Sequence, residues 1–169
     1  MALMYINSQT NVRMQGLSLW FILSFFMLQG HTAETDAETN FQLGRRQYEA
    51  AAYEAAIAAF ATAVKLSPET STYHHWLGKS YGRLAQNSSL LKAYRLASRT
   101  REEFERAVAL DDKNIDAISD LIDFYLQAPS FLGGGEDKAD KWRRRLEELQ
   151  QQNSSSGLNL ATPELPQGK

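Results

Sequence analysis

Two stretches of this chain repeat the same residue pattern. The pattern F-x-x-A-V-x-L spans Phe60 to Leu66 and recurs from Phe104 to Leu110, an offset of 44 residues, whereas Leu43-Gly44 recurs as Leu77-Gly78 at an offset of 34. The difference of ten is explained if each repeat is a pair of helices and ten residues are inserted between the two helices of the second pair. Because a single helix pair cannot bury its apolar face alone, the repeat predicts stacked pairs that pack on their neighbours.

A third, weaker copy supports the insertion. Leu121 and Tyr125 lie 44 residues after Leu77 and Tyr81, as an insertion after Tyr81 requires. The second helix of this copy follows a glycine-rich loop and is matched only by Ala139, Trp142, Leu146 and Leu149. The predicted repeats are therefore 37–70, 71–114 and 115–151.

The repeat resembles the tetratricopeptide repeat, in which small residues and aromatic rings alternate between two antiparallel helices. In repeat one the matching residues are Leu43, Gly44, Ala56, Phe60, Ala63 and Pro68, and in repeat two they are Leu77, Gly78, Tyr81, Phe104, Ala107 and Leu110. The resemblance implies an all-α fold, a tetratricopeptide-type solenoid of about three helix-turn-helix repeats. Leu90 to Ala97, within the insertion, predicts a short extra helix in repeat two.

The first 33 residues are typical of a signal peptide. Arg13 is the single charged residue before an uninterrupted apolar run of twelve residues, Leu17 to Leu28. Such a run fits the apolar core of a signal peptide and is shorter than the roughly 20 residues that cross a bilayer. We expect cleavage near Gly30 to Ala33 and an exported protein, periplasmic or secreted, without stable membrane insertion. The alternatives are a buried helix and an uncleaved anchor.

The expected helical domain covers residues 34–152 and is followed by a tail. The alanine-rich stretch from Tyr53 to Leu66 predicts a helix that ends at Ser67-Pro68, because proline cannot continue the hydrogen-bond ladder. The last helix is predicted from Glu136 to Gln151, where the apolar residues recur at helical spacing. The serines, glycines and prolines of 153–169 predict a disordered tail.

Composition excludes several classes of function. The chain of 169 residues has 18 Lys and Arg against 20 Asp and Glu, a net charge of −2, which disfavours a general nucleic-acid binder. It has no cysteine, so disulfides, thiolate metal sites and cysteine nucleophiles are excluded. We predict no cofactor.

The candidate metal and phosphate sites have plainer interpretations. His74 and His75 are adjacent on a helix and point about 100° apart, so they cannot chelate one metal ion together. Asp116, Asp120 and Asp123 share a helical face, which we interpret as solvated because one helix supplies only part of a hard-metal shell. The loop from Ala128 to Gly135 is interpreted as an interhelical turn and not as a phosphate cradle, because no Walker lysine follows it. No metal site and no catalytic residue are predicted.

The resemblance implies a non-enzymatic module that binds a protein or peptide in a groove lined by the first helix of each repeat. The residues expected to line it are Phe41, Arg45, Tyr48 and Glu49 from repeat one, His75, Lys79 and Arg83 from repeat two, and Asp116, Ser119 and Asp123 from repeat three. The cations among them favour an acidic peptide or a free carboxylate. Three alternatives remain: these are solvated helix positions, the protein is a scaffold that uses its convex face or the inserted segment, or it is an enzyme or metal-handling protein on a helical scaffold.

Overall fold

The computed structural model describes residues 34–159, which form six α-helices and one turn of 3-10 helix, with no strand in this range. Helix α1 covers 34–49. The others are α2 (Tyr53–Leu66), α3 (Ser71–Gln86), α4 (Leu90–Leu110), α5 (Ile115–Gln127) and α6 (Glu136–Asn159), with the 3-10 turn at Ser130–Leu132. The all-α prediction is confirmed. The predicted signal peptide, 1–33, and the end of the predicted tail, 160–169, lie outside the described residues.

From α2 onward, each helix packs mainly on the next one along the chain. One core cluster surrounds Phe60 and joins α1, α2 and α3, while a second surrounds Phe104 and Leu121 and joins α4, α5 and α6. The core is therefore distributed along the row of helices. This is the arrangement expected when each helix pair buries its apolar side against its neighbours.

The same close contact recurs in the first two helix pairs. A Cβ atom added at Gly44 would lie 2.7 Å from the Phe60 ring, and one added at Gly78 would lie 2.7 Å from the Phe104 ring. The two residues of each contact are 16 positions apart in the first pair and 26 in the second. The inserted residues therefore leave the packing inside the second pair unchanged, as the two repeat offsets predict.

Helix ends follow local sequence signals. Helix α2 has the predicted bounds, and the backbone N–H of Ser67 donates to the Ala63 carbonyl 2.9 Å away just before Pro68. Asn114 caps α5, its side-chain oxygen accepting from the N–H of Ala117 at 3.1 Å. The Asn114 amide also donates to the Ser71 hydroxyl at 2.9 Å, which joins the beginning of α5 to the beginning of α3.

Two predicted boundaries are wrong. The inserted segment from Leu90 to Ala97 is not a separate short helix but the first two turns of α4, which continues without a break to Leu110. The sequence between Ala97 and Phe104 contains no glycine or proline, so nothing ends the helix there. The predicted tail is also too long, because α6 continues to Asn159.

Candidate functional site

The first helices of the three pairs, α1, α3 and α5, are joined side by side through polar contacts. The hydroxyl of Tyr73 on α3 donates to the Glu38 carboxylate on α1 at 2.9 Å. On the other side of α3, His75 Nε2 donates to Asp120 of α5 at 2.6 Å. The three helices therefore present one shared surface, which we call the first-helix face.

Trp76 lies at the centre of a group of aromatic and cationic side chains on this face. The Arg45 guanidinium carbon is 5.2 Å from the centre of the Trp76 ring, and the Lys79 ammonium is 4.9 Å from it. The ring of Tyr48 meets the same indole edge-on at 5.3 Å. We call Arg45, Tyr48, Trp76 and Lys79 the Trp76 cluster. Both cations are within the distance at which an aromatic ring attracts a positive charge.

The cations of the Trp76 cluster are only partly neutralised. Lys79 lies 3.7 Å from Asp120, and Arg45 lies 3.7 Å from Glu49. The Arg45 side chain is 41% exposed, yet its buried Nε has no hydrogen-bond partner among the described residues. Exposed pairs of this kind contribute little, so these donors can exchange their partners for those of a ligand.

Asp120 is held as a carboxylate beside two side chains of α3, His75 and Lys79. Burial raises the pKa of Asp120, but the hydrogen bond from His75 and the charge of Lys79 together outweigh it, so the net pKa is lowered. Asp120 therefore fixes the positions of His75 and Lys79 across the α3–α5 boundary. It contributes a negative charge at the edge of the Trp76 cluster.

Five of the ten residues predicted to line the groove lie in or beside this cluster. Arg45, Tyr48 and Lys79 are members, and the pKa of Arg83 is raised chiefly by a hydrogen bond with Tyr48. Glu49 is exposed and pairs with Arg45.

Phe41 and His75 are not exposed groove residues, and that part of the prediction is wrong. Phe41 is 7% exposed and packs between Phe60 and Tyr73, with ring centres 5.7 and 4.9 Å away. His75 is 3% exposed; its ring lies 5.8 Å from that of Phe104 on α4, and Asp120 of α5 accepts its hydrogen bond. Both stabilise the contacts between helices instead of offering a free surface.

The α5 residues are more separate from the cluster. Asp116 and Asp123 are exposed and form no ion pair with the described part of the chain. The hydroxyl of Ser119 donates to the Ile115 carbonyl in its own helix at 2.8 Å. The acidic end of the predicted groove is therefore present on α5, but it does not contact the Trp76 cluster directly.

Trp76 and Asp120 were not among the predicted groove residues. On α3 the residues that the resemblance assigns to the groove include His75 and Lys79, and Trp76 lies between them in the sequence. The spacing of three between Trp76 and Lys79 is a usable signal, because residues three apart share a helix face. Nothing in the sequence indicates that Arg45, 31 positions earlier, meets the same ring.

His74 and His75 form hydrogen bonds with different residues. Its Nδ1 lies 2.7 Å from the Glu103 carboxylate on α4, and its Nε2 lies 2.9 Å from the Pro68 carbonyl. Both partners accept hydrogen bonds, so only the imidazolium can donate to both at once. The two histidines therefore serve separate helix contacts, which agrees with the prediction that they cannot chelate one ion.

We expect the stability of the fold to decrease as the pH rises through the neutral range. Burial lowers the pKa of His74, but the hydrogen bonds to Glu103 and Pro68 outweigh it and raise the net pKa above 6.5. A raised pKa in the folded state stabilises the fold at low pH, and this contribution is lost as the pH rises through the folded-state value. Chemical denaturation at several pH values across that range should show that the free energy of unfolding decreases less for His74→Gln than for the unsubstituted protein. An equal decrease in both proteins would exclude His74 as the cause.

The backbone N–H groups of the glycine-rich loop form hydrogen bonds with carbonyls nearby in the chain. The N–H groups of Gly133, Gly134 and Gly135 donate to the carbonyls of Ser130, Pro129 and Tyr125 at 2.9, 3.2 and 2.9 Å. Gly133 has a φ of 93°, a value that favours glycine. Because these donors are used inside the turn, they do not form a phosphate cradle, and the interhelical-turn interpretation is confirmed.

Among residues 34–159, no three histidine or carboxylate side chains are arranged to hold a metal ion. In the same part of the chain, no helix combines the length and apolar content needed to cross a bilayer. Comparison with known protein families finds no family model that matches the chain, and comparison with curated proteins finds no match either.

Proposed function

We propose that this chain is an exported protein-interaction module of the tetratricopeptide type, and that it binds an acidic peptide segment of a partner protein on the first-helix face. The observation that carries the proposal is the convergence of Arg45 and Lys79, from two successive first helices, on the Trp76 ring. Two cations from separate repeats around one aromatic ring form a composite site that neither helix pair makes alone.

The chemistry of the Trp76 cluster suits a carboxylate. Trp76 is partly exposed and offers a flat apolar surface, while Arg45 and Lys79 provide charged donors beside it. Hydrogen bonds between such donors and a carboxylate are stronger than those between neutral groups. Asp116 and Asp123 on α5 repel an acidic segment at the other end of the face, so they favour one direction of binding.

Two further arguments support the wider proposal. The recurrence of the glycine-on-phenylalanine contact supports equivalent helix pairs, as the family resemblance requires. Export rests on Arg13 and the apolar run Leu17 to Leu28, which lie outside the described residues.

Binding can be measured with Trp76 itself. The chain has three tryptophans, so a Trp20→Phe/Trp142→Phe background leaves Trp76 as the only one. Extended peptides rich in Glu, with either a free or an amidated C-terminus, are titrated against this protein. We expect acidic peptides to change the Trp76 emission, because they rearrange the cations on the ring. We also expect them to bind more weakly at higher salt, because salt screens the attraction between charges.

A pair of matched variants locates the site. Arg45→Ala/Lys79→Ala should weaken binding by about 1–3 kcal/mol, the usual effect of losing hydrogen bonds from charged groups. Arg46→Ala/Lys113→Ala removes the same two residue types from exposed positions without side-chain ion pairs to the described residues, and should leave affinity unchanged. Equal affinities for the two double variants would contradict the proposal and favour a scaffold that uses another surface.

A further inference from the structure

The insertion gives the second helix pair a basic, apolar extension. Residues 90–101, the first half of α4, contain Lys92, Arg95, Arg99 and Arg101 and no acidic residue. The chain as a whole has a net charge of −2, so this segment departs from the average in sign. Whole-chain charge therefore understates the local attraction of this segment for anions.

Four large apolar side chains are exposed at this end of the molecule. Leu90 and Leu91 are 67% and 71% exposed, and Phe131, in the 3-10 turn, is 69% exposed. The Phe131 ring lies 5.5 Å from that of Tyr94, which is three and four residues from the leucines and shares their side of α4. We call Leu90, Leu91, Tyr94 and Phe131 the apolar tip. It accounts for four of the six large hydrophobic side chains exposed in the described part of the chain.

Cations line the helix beside the apolar tip. Lys92, Arg95 and Arg99 follow one another at spacings of three and four, so they form a stripe along one side of α4. We call these three residues the basic stripe. With Tyr81 they line an open surface cavity of about 670 Å³.

The basic stripe is not neutralised by strong ion pairs. Lys92 and Arg99 each lie 3.5 Å from an exposed glutamate, Glu54 and Glu102. Arg95 forms no ion pair with the described residues. Exposed contacts of this length contribute little, so the three cations are available to an external anion.

The shape of the apolar tip favours a flat partner over a peptide. Leu90, Leu91 and Phe131 are largely exposed and do not line the cavity beside the basic stripe, so the apolar tip itself offers no recess for the side chains of a peptide. A bilayer surface needs no complementary recess, because protruding apolar side chains enter the acyl boundary while cations meet the lipid phosphates. We propose that the apolar tip and the basic stripe together dock α4 on the surface of a bilayer that contains anionic phospholipid.

The absence of cysteine allows a local test. A single Leu91→Cys substitution in the full-length chain carries an environment-sensitive dye, and Glu147→Cys on α6 carries the same dye as a control. The vesicles are phosphatidylcholine alone or an equimolar mixture with phosphatidylglycerol. We expect the emission at position 91 to increase and shift to the blue with the mixed vesicles only, while the signal from 147 stays constant. Because the dye reports from position 91, attachment through the apolar run Leu17 to Leu28 alone leaves its signal unchanged.

Charge variants test the basic stripe. Lys92→Ala/Arg95→Ala/Arg99→Ala should weaken partitioning at position 91 by roughly fivefold per cation removed, and Arg46→Ala/Lys65→Ala/Lys113→Ala should not. Thermal unfolding of both variants checks that the fold is retained. Inorganic phosphate should not displace the protein; displacement by phosphate at an ionic strength matched with chloride would assign the cations to a free anion and overturn the proposal.

Two other results would also overturn it. One is an equal dye response with both kinds of vesicle. The other is no response at position 91 with the mixed vesicles, which would indicate that the apolar tip binds a protein partner and not a bilayer.

Discussion

Replacement of Phe104 by alanine is expected to lower the free energy of unfolding by about 3–5 kcal/mol. Phe104 is 5% exposed and belongs to the core cluster that joins α4 to α5 and α6. Its ring also lies against Gly78 of α3 and 5.8 Å from the ring of His75. Truncation would therefore open a cavity where the second and third helix pairs meet, and the cost is measured by urea denaturation followed by circular dichroism.

Phe131 provides a matched control for this substitution. It is the same residue type but 69% exposed, so Phe131→Ala should change stability by no more than about 0.5 kcal/mol. A loss below about 1 kcal/mol for Phe104→Ala would show that Phe104 is not a core residue, contrary to its burial.

The sequence predicts the helices whose ends carry strong local signals. Helix α2 has the predicted bounds because a run of alanines is followed by Ser67-Pro68. The start of α5 at Ile115 also has a local signal in the structure, because Asn114 is its N-cap residue. Where no breaker residue occurs, as between Ala97 and Phe104, the pattern could not distinguish two helices from one long helix.

The end of α6 shows why composition predicted the tail poorly. Serine and glycine favour disorder on average, but the hydroxyl of Ser154 donates to the Gln150 carbonyl four residues earlier, at 2.8 Å. Such a bond satisfies the hydroxyl within the helix, so serine is compatible with a helical position here. The prediction from composition gave no weight to a helix already formed from Glu136 onward.

The candidate site was predicted only in part, because helix position and depth of burial are different properties. The family resemblance assigned Arg45 and Lys79 to one groove, and in the structure both cations lie over the Trp76 ring. The resemblance could not show that His75 is buried beside Phe104 and Asp120, or that Phe41 is enclosed by Phe60 and Tyr73. Those facts depend on how closely the helices approach, which is set by contacts far apart in sequence.

Two glycines on α3 allow the helix spacing itself to be tested. A Cβ atom at Gly78 would lie 2.7 Å from the Phe104 ring, whereas one at Gly82 would lie 3.5 Å from Thr100, an ordinary contact. Both substitutions to alanine gain about the same helix propensity, up to about 1 kcal/mol, so this gain cancels in their difference. We expect Gly78→Ala to be less stable than Gly82→Ala by about 1–3 kcal/mol, the usual cost of overpacking.

The cause of that difference can be isolated by repeating both substitutions in the Phe104→Ala background. If the ring is what the new methyl group meets, the difference between the two alanine variants should fall below about 0.5 kcal/mol once the ring is gone. Phe104→Leu can replace the alanine background if that protein fails to fold, because leucine also lacks the ring atoms. A difference that persists in either background would mean that Gly78 is required by another neighbour, such as Glu103, whose Cβ would lie 3.2 Å from the added atom. The repeated glycine-on-phenylalanine contact would then not be what sets the distance between α3 and α4.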